Sequence, residues 1–433
     1  MDLQNKKIGI WGFGIVGKSV FNYVKQFTDY VQILDQKSNP DGTIIIQTPE
    51  TIKNFLEYND YIIPSPGIVL ADYQKYAHKF LYELDIFTTH YHNPIIAITG
   101  TAAKTTVTDF IAQSIPGSVA AGNIGLAMLD VLSLNSEPKM TVLELSSYQL
   151  QYSKNFAPDI AIWTNFFENH LDHHKDIDEY FMAKCNILKN QKQNQKAIVH
   201  FDLIEKIQNK ISYQGKLFAY TKNMPKNIPD IPVFYIENED LILLEKNEKK
   251  IIYHNITKLP QITFIENWIA IIAALFLAHQ DLTKLASVNY TLQKHRVEFI
   301  QNYKNVAVYN DSKSTIQEST KQALTMFPDK KVALILGGMS KGANREPLIE
   351  YISKQKNIKP FIFGQEKELL SSFCKKHTLP YFATDTLDEI LAIFKENHIN
   401  FDVLLFSPAG SSFDQFKNYQ DRGEIFKQLM HKL

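Results

Sequence analysis

A glycine, a lysine and a hydroxyl residue within six positions, Gly100-Thr101-Ala102-Ala103-Lys104-Thr105, can hold a phosphate. Ahead of them Ile95, Ile96, Ala97 and Ile98 read as a buried parallel strand, and from Thr106 a helical pattern runs through Phe110. In that setting backbone N–H groups of the turn and of the helix N-terminus point at phosphate oxygens. The Lys104 amine reaches the terminal phosphates, and the Thr105 hydroxyl is a Mg²⁺ ligand. The spacing Gly-x-x-x-Lys-Thr is a short P-loop, with Ala103 where a glycine is expected. An ordinary strand, turn and helix with a lysine in its first turn fits the same string.

Other polar and glycine-rich strings stand where strands should end. Residues 7–11 lead into Gly12-Phe13-Gly14-Ile15-Val16-Gly17, and a second strand, Val31 to Leu34, closes on Asp35. A dinucleotide site puts an acidic residue about 20 positions beyond its glycines, so an NAD-dependent enzyme fits this opening taken alone. Ser65-Pro66-Gly67 is a tight turn after a strand near 60–63, either a ligand-binding strand end or a plain connection. Glu144, late in the strand Met140 to Leu145, is a natural further Mg²⁺ ligand, because Mg²⁺ takes few protein oxygens beside phosphate and water.

The loop Asn165 to His174 crowds His170, His173 and His174 with Glu168 and Asp172. Its spacing matches no zinc motif, and a solvated polar loop reads equally well. Lys184 lies in a helical pattern from Ile177 to Leu188, where a lone lysine is ordinarily a solvated face. Further on, Lys294-His295-Arg296, Asn310-Asp311-Ser312-Lys313-Ser314-Thr315, Gly337 to Gly342 and Ser407 to Ser412 punctuate strand patterns. Basic residues in two of these loops favour an anionic ligand.

The elements that must position these residues alternate strand and helix, which argues parallel sheets with sites at the strands' carboxyl ends. A boundary falls near His90 to Asn93, and a third region starts near Lys294. Residues 203–260 read as mixed short strands with a hairpin-like pair at 241–244 and 250–253, and carry no chemistry. The run Phe264 to His279 is a buried helix, too short to span a membrane.

Bulk numbers agree. A chain of 433 residues holds roughly two to four domains. With 45% hydrophobic and 21% charged residues it has the composition of a soluble globular protein. Lys+Arg and Asp+Glu both count 46, so no basic excess exists to grip a nucleic-acid backbone, and an anionic ligand must be held locally. The start MDLQNKK has no signal-peptide core after it, and two cysteines, Cys185 and Cys374, make neither a disulfide framework nor a thiolate metal site. The expectation is a cytoplasmic protein without membrane or nucleic-acid partners.

Taken in order, several strings resemble the Mur ligases of peptidoglycan synthesis. They are Ser65-Pro66-Gly67-Ile68, the P-loop, Gly122-Asn123-Ile124-Gly125, Glu144 to Leu150, Asn169-His170-Leu171-Asp172, His295-Arg296, Asn310 to Lys313, and Ser407-Pro408 through Asn418. Within that family the resemblance is to the members that add D-glutamate. It implies an α/β chain of three domains. Residues 1–92 are Rossmann-like and hold the uridine nucleotide, 93–290 form a P-loop ATPase-like mixed sheet, and 291–433 are Rossmann-like again and bring the amino acid. It also implies ATP as co-substrate, two Mg²⁺ ions, a monomer, and UDP-N-acetylmuramoyl-L-alanine as the acceptor whose terminal carboxylate ATP phosphorylates. The D-glutamate amine then attacks the acyl phosphate, a step that needs charge neutralisation and alignment and no covalent enzyme intermediate.

Carried over residue by residue, the resemblance gives ATP to Gly100, Thr101, Ala102, Ala103, Lys104, Thr105, Thr106 and Asn267, with Arg296, Asp311 and Lys313 from the third domain. Thr105, Glu144 and His170 make the metal environment, and Lys184 matches the lysine that CO₂ carbamylates into an anion beside the second Mg²⁺. Gly14, Ile15, Val16, Asp35, Gln36, Lys37, Ser65, Pro66, Gly67, Asn123 and Ser146 match UDP-substrate contacts. Thr315, Lys341, Ser412, Phe413 and Tyr419 fall where D-glutamate binds, and His295 falls near the reacting groups. Catalysis then rests on Lys104, Glu144, His170, Lys184 and His295.

The chain departs from the family at Ala102 and Ala103, at Ala270 where a second adenine-facing Asn stands beside Asn267, at Val16 where a hydroxyl often meets the diphosphate, and at Asp35-Gln36-Lys37, which lacks an Arg. These changes predict weakened nucleotide binding on an intact fold. Two rivals stand beside this reading: a sister Mur or folylpolyglutamate ligase, which would share the P-loop and the His-Arg but lack the string from Ser407 to Phe416, and a degenerate relative that binds UDP-sugar peptide without ATP turnover.

Overall fold

Short aliphatic runs, each closed by glycine or a polar residue, build three sheets in the computed structural model, which describes residues 3–37, 42–169, 173–226, 230–260, 265–291 and 294–433. The fold is α/β with three domains: an N-terminal Rossmann-like domain, a central P-loop ATPase-like mixed sheet and a C-terminal Rossmann-like domain. Runs such as Ile95–Thr99 and Val332–Leu336 are buried at every position, the signature of parallel strands covered on both faces.

The first sheet holds β1 (Ile8–Trp11), β2 (Val31–Asp35), β3 (Ile44–Ile46) and β4 (Tyr61–Pro64), all parallel in the order β3-β2-β1-β4. The helix Ile15–Val24 returns the chain from β1 to β2. Gly17 is required there, because a Cβ would lie 2.0 Å from the carbonyl oxygen of Gly12.

The second sheet holds β5 (Ile95–Thr99), β6 (Ser118–Gly122), β7 (Met140–Glu144), β8 (Ile160–Trp163), β9 (Lys196–His200), β10 (Lys216–Tyr220), β11 (Val233–Glu237), β12 (Asp240–Glu245) and β13 (Glu248–Tyr253). Its order is β13-β12-β11-β10-β9-β8-β5-β7-β6, parallel except for the antiparallel steps into β12 and β13. The expected hairpin is that β12–β13 pair. Strands β6, β9, β10 and β11, which the sequence pattern does not single out, extend the sheet on both sides. Strand β5 has β7 on one side and β8 on the other, so the chain reverses its direction of winding there. The crevice at the carboxyl ends of these three strands is where open α/β sheets bind ligands.

The third sheet holds β14 (Glu298–Tyr303), β15 (Val306–Asn310), β16 (Val332–Leu336), β17 (Ile358–Phe363), β18 (Phe382–Thr384) and β19 (Val403–Phe406), in the order β14-β15-β19-β16-β17-β18. Only β14 is antiparallel to its neighbour. Here β19 lies between β15 and β16, which puts the switch point at the ends of those three strands. The first two sheets belong to one compact unit with a shared core that includes Ile8, Phe87, Ala97, Leu143 and Trp163, and the third sheet forms a second unit. Among the described residues no helix is long and apolar enough to cross a membrane.

Candidate active site

After β5, Gly100 turns the chain at φ 148°, and a Cβ there would lie 2.0 Å from Thr164 Oγ1. The turn enters the helix Lys104–Ser114 through Ala103, at φ 68° and ψ −8°, with no side-chain cap. The positive end of the helix dipole therefore faces this turn, which favours an anion there. Thr101 and Ala102 behave differently from the sequence expectation. Asn165 Oδ1 accepts from both their amides, at 3.1 and 2.8 Å, so these N–H groups serve the loop's own shape. Lys104 folds back over the turn and donates to the carbonyls of Gly100 at 3.0 Å and Thr101 at 3.2 Å. Thr106 is buried in the first turn of the helix.

Lys184, on the helix Ile177–Lys189, is 1% exposed, which overturns its reading as a solvated lysine. Its Nζ donates to the Gly100 carbonyl at 2.9 Å and to Thr99 Oγ1 at 3.4 Å, and lies 4.8 Å from the centroid of the Tyr180 ring. Burial pulls its pKa well below that of an ordinary lysine. The Lys104 charge adds to the shift and Glu144 opposes it.

Glu144, at the end of β7, is 2% exposed. Asn123 Nδ2 donates to its Oε1 at 2.9 Å, whereas Oε2, also buried, has no hydrogen-bond partner among the described residues. A buried carboxylate oxygen without a donor is costly unless a cation takes it, and with the Thr105 hydroxyl in the helix's first turn the donor set fits Mg²⁺. His170 lies outside the described residues; among those described, no cluster of three His, Cys, Asp or Glu forms. Ser146 caps the helix Ser147–Gln151 in a capping box with Gln149, accepting from its amide at 3.3 Å. Asn267 is buried on the helix Ile265–Leu277, and its Nδ2 has no partner among the described residues.

At the first sheet, Asp35 is consumed by the glycine turn. Its Oδ2 accepts from the Phe13 amide at 2.6 Å and its Oδ1 from the Lys37 amide at 3.0 Å. An NAD site needs that carboxylate on a ribose, so the dinucleotide reading fails on geometry. Ser65 Oγ donates to the Gly12 carbonyl at 3.2 Å, which fastens the Ser65-Pro66-Gly67 turn to the glycine loop. Gly14 caps the helix Ile15–Val24 without a side chain, Ile15 is 80% exposed at its start, and Val16 is half-buried. Gln36, Lys37 and Gly67 are exposed.

In the second unit, two buried arginines hold the strand-end loops. Arg345 donates to the carbonyls of Gly337 at 3.2 Å, Gly338 at 3.1 Å and Pro408 at 2.7 Å, and pairs with Glu366 at 3.2 Å. Arg422 donates to the Ser312 carbonyl at 2.7 Å and the Gly410 carbonyl at 2.9 Å; burial pulls its pKa down to about 9. Asp311 is fully buried: Ser407 Oγ donates to its Oδ2 at 2.7 Å, and Arg296 stands 3.9 Å from Oδ1. Burial raises the Asp311 pKa and Arg296 holds it back. Arg296 donates to Ser314 Oγ at 3.2 Å, and its Nε has no partner among the described residues.

Lys313 Nζ lies 5.7 Å from the Tyr419 ring centroid, and Lys341 Nζ 5.7 Å from that of Phe413, which is 64% exposed. Ser412 is buried and Thr315 half-buried. His295, at φ 63°, is a tie of this frame. Its amide donates to Glu298 at 2.8 Å, and its ring lies 2.9 Å from Asn310 Nδ2 and 3.5 Å from Glu424. Burial lowers its pKa.

The family model for the Mur ligase middle domain matches residues 98–275. A UDP-N-acetylmuramoylalanine–D-glutamate ligase of Bacillus cereus is 32% identical over 459 residues, covering 100% of this chain and 99% of its own. The chain belongs to the Mur ligase family. A ligase of the same name from Aquifex aeolicus is 32% identical over 434 residues, 98% of each chain. Among solved structures, the MurF ligase of Thermotoga maritima in complex with ADP covers 99% of this Mur ligase at 15% identity, 96% of its own chain, with TM-score 0.56. A pseudomurein peptide ligase type C from Methanothermus fervidus covers 99%, and 100% of its own chain, at 14% identity and TM-score 0.59. At such identities these two speak for the fold alone.

Sequence reasoning about this Mur ligase passes over Thr164, Asn165, Arg345 and Arg422. The first two form a polar pair directly after a buried strand, a signal that sequence holds. Arg345 stands just ahead of the helix Glu346–Ser353 and Arg422 within the helix Tyr419–Lys432, and nothing local marks them as buried.

Proposed function

We propose that this Mur ligase is an ATP-dependent amide-bond-forming ligase that adds D-glutamate to UDP-N-acetylmuramoyl-L-alanine, in the cytoplasmic stage of peptidoglycan synthesis. The observation that carries the reading is the full-length likeness, at 32% identity, to ligases that bear that name. Residues 1–92 take the uridine nucleotide, 93–290 bind ATP and 291–433 bring the amino acid, in a monomer.

In this reaction the γ-phosphoryl of ATP passes to the acceptor carboxylate, leaving ADP and an acyl phosphate. The amine of D-glutamate attacks the acyl carbon, the tetrahedral intermediate expels phosphate, and the nitrogen loses a proton as the amide forms. The positive end of the helix Lys104–Ser114 and the Lys104 amine hold the phosphates and offset charge as it develops. Mg²⁺, held by Thr105, Glu144 and His170, would supply electrostatic neutralisation of the phosphates. Burial disfavours the ammonium form of Lys184, and its neutral amine adds CO₂ and releases a proton, which gives the side chain a hard anionic oxygen ligand. Asn267 faces the adenine, and Arg296 and Lys313 grip ATP with Asp311 orienting Arg296. The glycine turn with Gly14, Ile15 and Val16, braced by Asp35 and Ser65, receives the UDP-substrate with Gln36, Lys37, Pro66, Gly67, Asn123 and Ser146. Thr315, Lys341, Ser412, Phe413 and Tyr419 receive D-glutamate.

The test is phosphate release with UDP-N-acetylmuramoyl-L-alanine, ATP and Mg²⁺, comparing D-glutamate with L-glutamate. Turnover with D-glutamate alone is expected. Binding of the UDP-substrate without any phosphate release would leave only a binding protein of the same fold.

A further inference from the structure

We infer that Thr164 and Asn165 are positioning residues for ATP, holding the Ala102–Ala103 peptide in the strained orientation that the P-loop needs. The inference rests on the reading of this loop as the ATP site.

The carbonyl of Ala102 accepts from two side chains, Thr164 Oγ1 at 2.7 Å and Asn165 Nδ2 at 3.2 Å. Asn165 Oδ1 takes the amides of Thr101 and Ala102, so one side-chain amide satisfies the loop as both acceptor and donor. The Ala102 carbonyl and the Ala103 amide share one planar peptide, so fixing the oxygen also fixes the direction of the N–H and narrows φ at Ala103. That φ is 68°, a left-handed conformation that glycine adopts freely and alanine does not.

The clamp is itself anchored to the sheet. The Tyr220 hydroxyl donates to the Thr164 carbonyl at 2.7 Å and the Trp163 indole to the Asn165 carbonyl at 3.2 Å, and both rings are buried. Strand β8 pairs with β5 up to the Thr99–Trp163 register, so clamp and loop leave adjacent strands at the same level. Where a P-loop glycine would supply the conformation by itself, this chain imposes it on Ala103 from the neighbouring strand. The clamp and the glycine are therefore alternative solutions, and their effects must be coupled.

The experiment is a double-mutant cycle on the full chain, reading ATP dissociation constant, ATP KM, kcat and melting temperature for the parent, Asn165→Ala, Ala103→Gly and the double variant. Asn165→Ala is expected to weaken ATP binding about tenfold in the parent and about threefold or less in the Ala103→Gly background, with the D-glutamate KM unmoved. Thr164→Val, which keeps the shape and loses one donor, should show the same coupling at about half the logarithmic size, and it reads the coupling if Asn165→Ala does not fold. Equal losses in the two backgrounds overturn the inference, because a residue that merely supports the fold is indifferent to residue 103. A parent that binds ATP but gives additive losses sinks this inference alone. A parent that binds no ATP removes the site reading, and the inference with it.

Discussion

Lys184 Nζ donates to the carbonyl oxygen of Gly100 at 2.9 Å, which ties a fully buried amine to the turn that leads into the helix Lys104–Ser114. Burial and the Lys104 charge both favour the neutral amine, the form that reacts with CO₂. Lys184→Ala is expected to lose nearly all turnover and to regain part of it with acetate or another short carboxylate, which occupies the vacated anion position. Lys184→Met, which fills the space without the nitrogen, should fold and remain inactive. Parent-like turnover in either variant, or no rescue of the Ala variant by any carboxylate, counts against the carbamate.

Ala103 sits at φ 68°, where a Cβ costs about 1 kcal/mol relative to glycine. The lysine, the threonine and the strand–helix frame are intact, so the alanine is expected to weaken nucleotide binding without abolishing it. Ala103→Gly should lower the ATP KM about fivefold and leave the D-glutamate KM almost unchanged, which steady-state kinetics with each substrate varied in turn will read. An unchanged ATP KM would mean that the backbone strain is not felt in the bound state.

Lys341 stands at a strand-end loop with its ammonium 5.7 Å from the Phe413 ring centroid. A charge-assisted contact with one D-glutamate carboxylate is worth about 1.5–3 kcal/mol. Lys341→Ala should therefore raise the D-glutamate KM roughly tenfold or more, with UDP-substrate affinity nearly constant. Loss of affinity for both substrates together would remove Lys341 from the amino-acid site.

Glu83 gives a pH dependence of stability. It is buried, the Met128 amide donates to its Oε1 at 3.2 Å, and its Oε2 has no partner among the described residues. Burial pushes its pKa from 4.5 up to about 7, with the Asp130 charge adding to the rise and the amides of Met128 and Leu129 opposing it. The folded state therefore holds this proton more tightly than the unfolded chain does. Its contribution, about 3 kcal/mol at most, is fully present below pH 4.5 and is lost as pH rises through about 7. Thermal melts from pH 5 to 8 should show the parent losing stability relative to Glu83→Gln. Parallel curves for the two proteins would assign the buried carboxyl an ordinary pKa.

Much of the frame is legible along the chain because its signals are local. The run Ile95 to Ile98 followed by glycine gives a buried strand and its end, and the strands at 332–336 and 403–406 are read directly from aliphatic runs closed by glycine or serine-proline. Strands such as β9 and β10 escape, because Lys196–His200 and Lys216–Tyr220 mix charge and aliphatic residues and become strands only by pairing with each other and with β8. Asp35 shows the opposite error. Its spacing from the glycines is right for a dinucleotide site, yet its carboxylate accepts from the backbone amides of Phe13 and Lys37, in the turns that follow β1 and β2.

The sequence by itself determined the alternation of strand and helix, the strand–turn–helix frame of Gly100 to Thr105, and through eight strings the family. Those are properties of residue types and their spacing, which a linear chain carries. Only the tertiary structure decided that Lys184 is buried against Gly100, that Glu144 has one oxygen on Asn123 and one without a donor, and that Asn165 holds the amides of Thr101 and Ala102. These contacts join residues from separate strands and helices. Protonation, strain and metal fit depend on desolvation and on through-space distance, and neither quantity is written along the chain.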